Sequence, residues 1–538
     1  MRTMKRREFL ALPAQAAAAA TLSGMPADSG KTRVGLVQSA HPKLARPSSP
    51  EDPLDYERVR DMVWKAIEYG RPRAGSLEAK IRPGSWVVIK PNIVFLRPQS
   101  AYTTGDVTDL RVTRAVAEYV ARKSRAGRIT IAEGGSYRGL KDPLTAPVVM
   151  QDGQRVDASN YDWGPNEFPG TGGSLNDMLR DLSKQMPGKK FDYVDLAYDT
   201  IRDESGNFKR FEVPRTAKGV GAFGERSDYA VSKTIKECDF LITVPVAKVH
   251  AGCGLTVCFK SFVGTAPREA YAERTGFSNA ILHNQHSLEG RVDSFMVDLA
   301  AFHPPDYNVV DCIRGLQYAE HNNRQPDQMV RSNMILAGEN TVATDAMIAK
   351  LLGFNPWDLE YLHMAQQRDM GSLDLGSIDV VGDDPERLQR VWRKPRNWCG
   401  RSNREWKITQ DPEAPLAGWA AHSAHTDTLD FAKWAGSVTP GKTYAAAVRV
   451  MADGTRKAFL WTGVSGRVMS ILNGQTVMQE ENTTRYRVAQ FRAPVELRSG
   501  ENLLVLRVTA VSEAARVSAL LVGPRNDGDT VDGIRWLA

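Results

Sequence analysis

Short apolar runs alternate with helix-type spacing over roughly the first two thirds of the chain. Trp86–Ile89 and Ile129–Ala132 are apolar, largely β-branched runs of the kind that form buried strands. Between them, apolar residues from Val112 to Val120 recur on one helical face, and Asp109 stands where a helix N-cap is expected. A strand, a helix and a strand in this order predict parallel pairing with a right-handed crossover.

The same alternation continues towards residue 385. Further strands are predicted at Phe240–Val244, Asn308–Val310, Met334–Ala337 and Ile378–Val381, with a helix over about 342–352. Residues 139–235 are polar and rich in Gly, Asp and Pro, which predicts an insertion or cap with strands near 191–200 and 208–214. We therefore predict an α/β domain over 33–385, with a mostly parallel sheet flanked by helices.

The pattern changes after residue 385. Residues 386–429 hold several prolines and tryptophans without periodicity, which indicates a packed linker. From 430 onward short alternating strands are separated by turns, of which Asn473-Gly474 is the strongest hairpin signal. The predicted strands are Tyr444–Val450, Ala458–Thr462, Arg467–Leu472, Arg485–Gln490, Val495–Leu497 and Leu503–Val508. This spacing predicts a β-sandwich, jelly-roll-like, over 430–538.

The N-terminus has the layout of an export signal. Arg6 and Arg7 precede Phe9, Leu10 and a mild apolar run, which is typical of a twin-arginine signal peptide over 1–27. The alternative is a basic amphipathic helix on a cytosolic protein. Export predicts the twin-arginine machinery as a partner, a periplasmic or extracellular location, and no integral membrane span after signal removal.

Composition narrows the protein class. Of the 538 residues, 42% are hydrophobic and 25% charged, which disfavours disorder and fibrous repeats. The net charge is +7, with no Lys/Arg stripe, so we expect no nucleic-acid partner. Five cysteines are too few for a disulfide scaffold, and their odd number leaves at least one unpaired or acting as a ligand. The longest apolar stretch is too short for a multi-pass membrane protein.

Polar residues follow the predicted strands at their carboxyl ends, where open parallel sheets form their binding crevice. They are Lys90 and Asn92, Glu133, Lys248 and His250, and Asp311. Such a set suits an anionic ligand held by the lysines, with His250 or a carboxylate transferring a proton. Each of these residues, taken alone, is also compatible with an ordinary solvated or structural role.

Two neighbouring segments extend this prediction. The hydroxyls of Thr103 and Thr104 would complete an anion site near Lys90, unless they form an ordinary turn. The turn around Thr256 is glycine-rich and suits an anion-binding nest.

A metal site is the alternative at the same turn. His250, Cys253 and Cys258 are candidate metal ligands, although their spacing is not that of a standard zinc or iron–sulfur site. Buried small cysteines beside a glycine turn are the favoured explanation of this segment, and with the anion-binding nest a phosphate or carboxylate is favoured over a metal ion as ligand. The chain contains no Gly-x-Ser-x-Gly, Walker or His-Glu-x-x-His motif.

The order and spacing of these segments over about 85–385 resemble the DUF362 family, α/β proteins whose function is largely undefined. The segments that carry the resemblance are Val88–Asn92, Thr103-Thr104, Ile131–Gly134, Leu241–His250, Thr256 with Lys260, Ser261 and Gly264, Val297–Leu299, Val310–Gly315, Ile335–Gly338 and Ala343–Ala346. The resemblance implies shared polar positions at Lys90, Asn92, Glu133, Lys248, His250, Lys260, Asp298, Asp311 and Asp345. Many relatives also carry ferredoxin-like Cys-x-x-Cys repeats, and this chain has no ferredoxin-type iron–sulfur motif.

The C-terminal segment resembles jelly-roll sugar-binding-like domains of secreted glycan-active proteins. The resemblance rests on Ala458–Gly463, Leu472–Gly474 and Leu497–Val505. It makes Trp461 a candidate for stacking on a sugar ring, with a core tryptophan as the alternative.

Three functional hypotheses follow. In the first, the protein is an enzyme, or has an enzyme-like domain, acting on a small anionic or carbohydrate-derived ligand: Lys90 and Lys248 bind it, His250 is the general acid or base, and Glu133, Asp311 and Asp345 position groups or a metal ion. In the second, it is a non-catalytic glycan- or envelope-binding protein. In the third, Cys253 and Cys258 serve metal or redox chemistry. The cofactor stays undefined.

Overall fold

A computed structural model describes most of the chain. The described residues are 31–94, 96, 105–134, 150–151, 154–155, 157–224, 226–250, 252–271, 292–320, 327–394, 405–423, 428–483, 486, 490–524, 526, 531 and 533–537. The segment 1–27, the Thr103-Thr104 pair and most of the strand predicted at Arg485–Gln490 lie outside these residues.

The first part of the described chain alternates strands and helices. Its strands are β1 Thr32–Gln38, β2 Trp86–Pro91, β3 Arg128–Glu133, β4 Met150–Gln151, β5 Gln154–Arg155, β6 Lys190–Asp195, β7 Arg210–Glu212, β8 Asp228–Ala230, β9 Phe240–Val244, β10 Val246–His250, β11 Gly254–Thr256, β12 Tyr307–Leu316, β13 Met329–Gly338 and β14 Ile378–Gly382. Its α-helices are α1 Tyr56–Tyr69, α2 Leu77–Lys80, α3 Leu110–Lys123, α4 Leu175–Gln185, α5 Lys233–Glu237, α6 Arg268–Tyr271, α7 Val292–Ala300, α8 Thr341–Leu351, α9 Glu360–Gln367 and α10 Pro385–Leu388.

Most of these strands form one mixed sheet in the order β14-β1-β13-β12-β9-β2-β3-β6. Parallel pairs join β1 to β14, β12 to β9, β9 to β2, β2 to β3 and β3 to β6. Only β13, placed between β1 and β12, runs antiparallel to its neighbours along this path. The predicted mostly parallel α/β sheet is therefore confirmed.

Each face of this sheet carries its own apolar core. Val87 and Ile89 of β2 pack with α1 and α3 on one face, whereas Val88 faces the core shared with α7, α8 and α9. A strand buried on both faces has no polar side to alternate with its apolar one. This explains the continuous apolar run from which β2 was predicted.

The best-predicted elements are those with strong local signals. β9 has the predicted bounds, and α3 begins directly after Asp109, whose carboxylate accepts a hydrogen bond from the Arg111 amide. β12 is longer than predicted, because it continues past a register shift between Cys312 and Arg314 and pairs there with β13 and β10.

Pro245 interrupts a strand at the edge of the candidate crevice. β9 pairs with the start of β12, and after Pro245 the chain continues as β10, which pairs with the later part of β12. Proline has no amide hydrogen for the ladder, so a change of register is tolerated there. β10 then turns back into β11, which places Lys248 opposite Thr256.

The C-terminal part is a curled antiparallel sheet, as predicted for a β-sandwich. Its strands are β15 Glu405–Thr409, β16 Ala420–Ser423, β17 Thr428–Asp430, β18 Thr443–Ala452, β19 Arg456–Leu472, β20 Gln475–Asn482, β21 Phe491–Leu497, β22 Gly500–Thr509, β23 Arg516–Val522 and β24 Ile534–Leu537, with a short helix α11 at Phe431–Ala435. β15 and β16 lie within the segment predicted as a linker, and β15 pairs with β18.

One long strand joins the two sheets of the sandwich. Two separate strands were predicted at Ala458–Thr462 and Arg467–Leu472, but both belong to β19. Its first half pairs with β21 and β23 and its second half with β20 and β22, on either side of a bend near Gly466, where φ is +118°. The predicted Asn473-Gly474 hairpin is confirmed, with both residues at positive φ.

Among the helices of the described residues, none combines the length and the apolar character needed to cross a bilayer.

Candidate functional site

Lys90 and Glu133 form a buried ion pair at the carboxyl ends of β2 and β3. The Lys90 Nζ and Glu133 Oε2 atoms are 2.9 Å apart, and the two side chains are 1% and 2% exposed. Because β2 and β3 are parallel neighbours, their ends lie side by side. The sequence prediction placed these two residues at one edge of the sheet, and the structure brings them into direct contact.

Two backbone amides hold the Glu133 carboxylate in place. Oε2 also accepts from the Ile93 amide at 2.9 Å, and Oε1 accepts from the Gly134 amide at 2.8 Å. Lys90 Nζ donates in addition to the Pro91 carbonyl at 3.0 Å. The pair therefore joins the carboxyl ends of β2 and β3.

Gly264 packs directly against the Lys90–Glu133 ion pair. A Cβ atom at this position would lie 2.6 Å from Glu133 Oε1 and 2.9 Å from Lys90 Nζ. Gly264 belongs to the 3-10 helix Phe259–Thr265, which also carries Lys260. The close approach explains why a residue without a side chain stands here.

Asp345 fixes the start of that 3-10 helix. Its two carboxylate oxygens accept from the Cys258 and Phe259 amides at 3.0 and 3.2 Å. Burial raises the pKa of Asp345 to about 6, although these hydrogen bonds favour the charged form. Asp345 thus supports the element that bears Lys260.

Lys248 lies in β10 and is fully buried. Its Nζ donates to Asn92 Oδ1 at 3.0 Å and to the Asp106 carbonyl at 2.6 Å. Both acceptors are neutral, and among the residues that the structure describes no carboxylate lies within ion-pair distance of this amine. Burial lowers the pKa of Lys248 to about 8; the nearby Asp106 carboxylate opposes this shift and the Lys260 charge adds to it.

Lys260 belongs to the same electrostatic cluster. It is almost fully buried, and burial together with the nearby Lys90 charge lowers its pKa, while Cys253, Glu320 and Asp293 act in the opposite direction. Lys90, Lys248 and Lys260 therefore converge on one region, which we call the lysine crevice. The lysine crevice also includes Asn92 and Glu320, which are both half-buried.

His250 is held in one tautomer by its surroundings. Its Nδ1 accepts from the Gly252 and Cys253 amides at 3.0 and 3.2 Å, so the ring proton resides on Nε2. Nε2 lies 3.5 Å from Glu320 Oε1. A second proton on Nδ1 would meet two amide hydrogens, and this arrangement therefore favours the neutral ring.

Asp311 lies in a second cluster rather than in the lysine crevice. Its oxygens accept from the Asp109 amide at 2.7 Å and the Ile313 amide at 2.8 Å. Burial and the neighbouring Asp109 carboxylate raise the pKa of Asp311, and the same two causes raise that of Glu167. Arg111 forms a two-pronged ion pair with Asp109, at 2.9 and 2.5 Å.

Asp298 also has a local partner set of its own. It lies in α7 and accepts from the Phe223 and Gly224 amides and from the Tyr229 hydroxyl, at 2.9 to 3.2 Å. Burial raises the pKa of Asp298 to about 6. This carboxylate anchors the 221–224 loop to α7.

The three candidate metal ligands are not arranged as a metal site. Cys253 Sγ donates to the Leu255 carbonyl at 3.2 Å, and burial beside Asp345 raises the pKa of Cys258 well above its usual value. Among the described residues no group of three or more His, Cys, Asp or Glu side chains is placed to hold a metal ion. Thr256 is buried opposite Lys248, and Thr103 and Thr104 lie outside the described residues.

Trp461 lies outside the main core of the sandwich. Leu460 beside it points into the main core, whereas Trp461 packs in a small separate cluster with Phe459 and Leu520. The Arg492 guanidinium stacks 3.8 Å from its ring centroid, and Trp461 itself is buried. A sugar ring would reach it only if Arg492 moved.

A polar groove of about 840 Å³ runs between α4 and β6, outside the lysine crevice. Tyr193 is one of its lining residues, and the Tyr193 hydroxyl donates to the Glu133 carbonyl at 3.0 Å. The groove thus neighbours the carboxyl end of β3.

Residues 202–350 match the family model described as "Domain of unknown function (DUF362)". The match supports the resemblance to DUF362. It includes Lys248, His250, Lys260, Asp298, Asp311 and Asp345, whereas Lys90, Asn92 and Glu133 precede it. The lysine crevice is therefore built partly by the matched segment and partly by the strands before it.

No curated protein matches the chain. Similar solved structures include a β-glucosidase from Kluyveromyces marxianus in complex with glucose, at 10% identity and a TM-score of 0.20, covering 26% of this chain and 21% of that one. A family 35 carbohydrate-binding module from an environmental isolate is 13% identical with a TM-score of 0.14, covering 19% and 73%. A GH2 β-galacturonidase from Eisenbergiella tayi is 12% identical with a TM-score of 0.16, covering 21% and 23%.

Sequence reasoning missed several members of these clusters. Asp106 lies between β2 and α3, Glu320 follows the part of β12 that extends beyond the predicted strand, and Glu167 lies in the segment that was predicted only as an insertion or cap. The fragment Gly105-Asp106, directly before the predicted helix cap at Asp109, was the available signal for Asp106.

Proposed function

We propose that the lysine crevice binds a small anion and that the protein acts on it as an enzyme. The observation that carries this proposal is the convergence of three buried lysines: Lys248 Nζ meets Asn92, two residues after Lys90, and the 3-10 helix that bears Lys260 passes Lys90 at Gly264. Burying an ammonium group is costly unless an opposite charge compensates it. Glu133 compensates Lys90, and a bound anion would compensate Lys248, whose two hydrogen-bond acceptors are neutral.

The crevice residues have separable roles in this proposal. Lys90 and Glu133 form a framework whose hydrogen bonds are already used, so Glu133 acts as a positioning residue. Lys248 and Lys260 contact the anion, and the half-buried Asn92 orients the Lys248 amine. Phosphate and carboxylate groups both suit such amines.

Proton transfer falls to Lys248 rather than to His250. A general acid or base works best when its pKa lies near the working pH, and the pKa of Lys248 is about 8. His250 keeps its proton on Nε2, since Nδ1 is engaged by two amides. A neutral histidine of this kind donates a hydrogen bond to a ligand oxygen or to a developing oxyanion.

Calorimetry tests the anion site. Inorganic phosphate and malonate would be titrated into the full chain at pH 8, in buffers of different ionisation enthalpy. Binding should be accompanied by the uptake of a fraction of a proton, because the anion raises the pKa of Lys248.

Matched variants complete the experiment. Lys248→Met should weaken binding by at least tenfold, while Lys407→Met, at an exposed position in β15, should bind as the wild type does. Equal binding by the wild type and Lys248→Met would refute the proposal.

A second candidate function is sugar binding by the sandwich. It is supported by the aromatic pair Phe459 and Trp461 on the face opposite to the core. Affinity electrophoresis in gels containing xylan, β-glucan or pectin tests it. Arg492→Ala should increase retardation by uncovering the Trp461 ring, and Trp461→Ala should abolish it; unretarded migration of every variant would remove this function.

We further propose that Arg6 and Arg7 direct twin-arginine export, which fits the signal layout of residues 1–27. Cell fractionation of the full chain should find the wild type outside the cytoplasm. The double variant Arg6→Lys, Arg7→Lys should remain inside. An equal distribution of the wild type and the double variant between the fractions would contradict the proposed export signal.

A further inference from the structure

Lys90 and Lys248 are both buried in the lysine crevice, but one has a charged hydrogen-bond partner and the other has neutral ones. Lys90 faces the Glu133 carboxylate at 2.9 Å, which requires an ammonium. Lys248 faces the Asn92 amide oxygen and the Asp106 carbonyl, which are neutral. A neutral amine has two N–H donors and one lone pair, so these two acceptors use both donors and leave the lone pair for another atom.

We propose that the Lys248 amine is a nucleophile that forms an imine with a small 2-oxo acid. This inference rests on the proposed function, since it places the ligand in the same lysine crevice. A 2-oxo acid combines the two features that the crevice addresses, an anionic carboxylate and an electrophilic carbonyl carbon.

The neighbouring side chains suit both ends of such a ligand. Lys260 supplies positive charge for the carboxylate, since it lies in the 3-10 helix that begins three residues after Thr256, the strand partner of Lys248. His250 lies two residues after Lys248 on β10, so both side chains leave the same face of the strand, with Cα atoms about 7 Å apart. The His250 Nε2 proton would polarise the carbonyl oxygen.

The step needs no further reagent. The Lys248 nitrogen attacks the carbonyl carbon, and the C=O π bond opens to give a carbinolamine. The C–O bond then breaks, the oxygen leaves as water with both hydrogens of the amine, and a C=N bond remains. The lowered pKa of Lys248 supports this role, because a large fraction of the amine is uncharged near pH 8.

Borohydride trapping tests the imine on the wild-type protein. The full chain would be incubated with pyruvate, glyoxylate or 2-oxoglutarate, reduced with cyanoborohydride, and digested for peptide mass mapping. Pyruvate should add the mass of one pyruvic acid less one oxygen atom, saturably and at Lys248. Lactate, which has the same carboxylate but no carbonyl, should leave no mass and should compete with the labelling.

Lys248→Arg should lose this label, and Lys407→Arg should keep it. If lactate and phosphate bind in calorimetry but no 2-oxo acid labels Lys248, the imine is refuted while the anion site stands. If neither lactate nor phosphate binds and no label forms, both proposals fail.

Discussion

Asn92 Oδ1 accepts a hydrogen bond from Lys248 Nζ at 3.0 Å, and this bond ties the loop after β2 to a strand that is not its neighbour in the sheet. The bond also affects the charge state of Lys248, because an amide oxygen accepts a hydrogen bond without contributing a negative charge. An amide at position 92 therefore favours the neutral Lys248 amine, whereas a carboxylate there would favour an ion-paired ammonium.

Asn92→Asp should raise the pKa of Lys248, since a carboxylate at 3 Å stabilises the ammonium. An increase of one unit, which corresponds to about 1.4 kcal/mol, should lower the cyanoborohydride labelling of Lys248 at pH 8 about fivefold, because the uncharged fraction falls from about one half to about one tenth. Asn355→Asp, at an exposed helix cap, is the control and should label as the wild type does. Unchanged labelling of Asn92→Asp would mean that the amide does not control the amine.

Gly264→Ala should destabilise the protein by forcing apart the Lys90–Glu133 pair. The added methyl would meet Glu133 Oε1 at 2.6 Å, and we expect a loss on the order of 2 kcal/mol in the free energy of unfolding. Gly188→Ala meets no atom within 4 Å and should stay within about 0.5 kcal/mol of the wild type. Urea denaturation measures both, and equal midpoints for the two variants would contradict this packing.

Glu133→Gln should leave the Lys90 charge buried without its counter-ion. Breaking a buried pair from one side costs about 3–5 kcal/mol, whereas replacing both partners is often near neutral. The double variant Lys90→Met, Glu133→Gln should therefore be more stable than Glu133→Gln alone. A double-mutant cycle by chemical denaturation checks this, and additive losses would show that the two side chains do not depend on each other.

Asp298 should make the free energy of unfolding depend on pH. Its pKa is about 6 in the folded protein and near 3.8 when unfolded, so between these values the folded state holds more protons than the unfolded state. Stability from this group therefore falls as the pH rises from about 4 to about 6. Asp298→Asn should lose this slope, and its stability relative to the wild type should improve by up to about 3 kcal/mol between pH 4 and pH 7.

The control for this measurement is Asp374→Asn, which replaces one exposed helix cap by another. Its difference from the wild type should be the same at both pH values. Parallel pH profiles for the wild type and Asp298→Asn would refute the role assigned to this carboxylate.

Local patterns were enough to predict several strands and helix ends. β9, the helix cap at Asp109 and the Asn473-Gly474 turn each depend on a few adjacent residues, and each was found as predicted. The contact of Lys90 with Glu133 followed from the parallel order of their strands.

The grouping of the remaining carboxylates could not be predicted in this way. Asp311 was predicted to face the crevice, but it accepts a hydrogen bond from the amide of Asp109, the N-cap of α3. Asp298 and Asp345 each hold a loop or a helix end through backbone amides. Such partners come from distant parts of the chain, and neither periodicity nor residue type reveals which amide a carboxylate will meet.

The Lys90–Glu133 pair also has a consequence for how this chain can diverge. Replacing one of the two residues leaves a buried charge without its counter-ion, whereas replacing both leaves no such charge. Selection should therefore remove single replacements and tolerate double replacements. Across natural variants of this sequence, the residues at positions 90 and 133 should therefore covary.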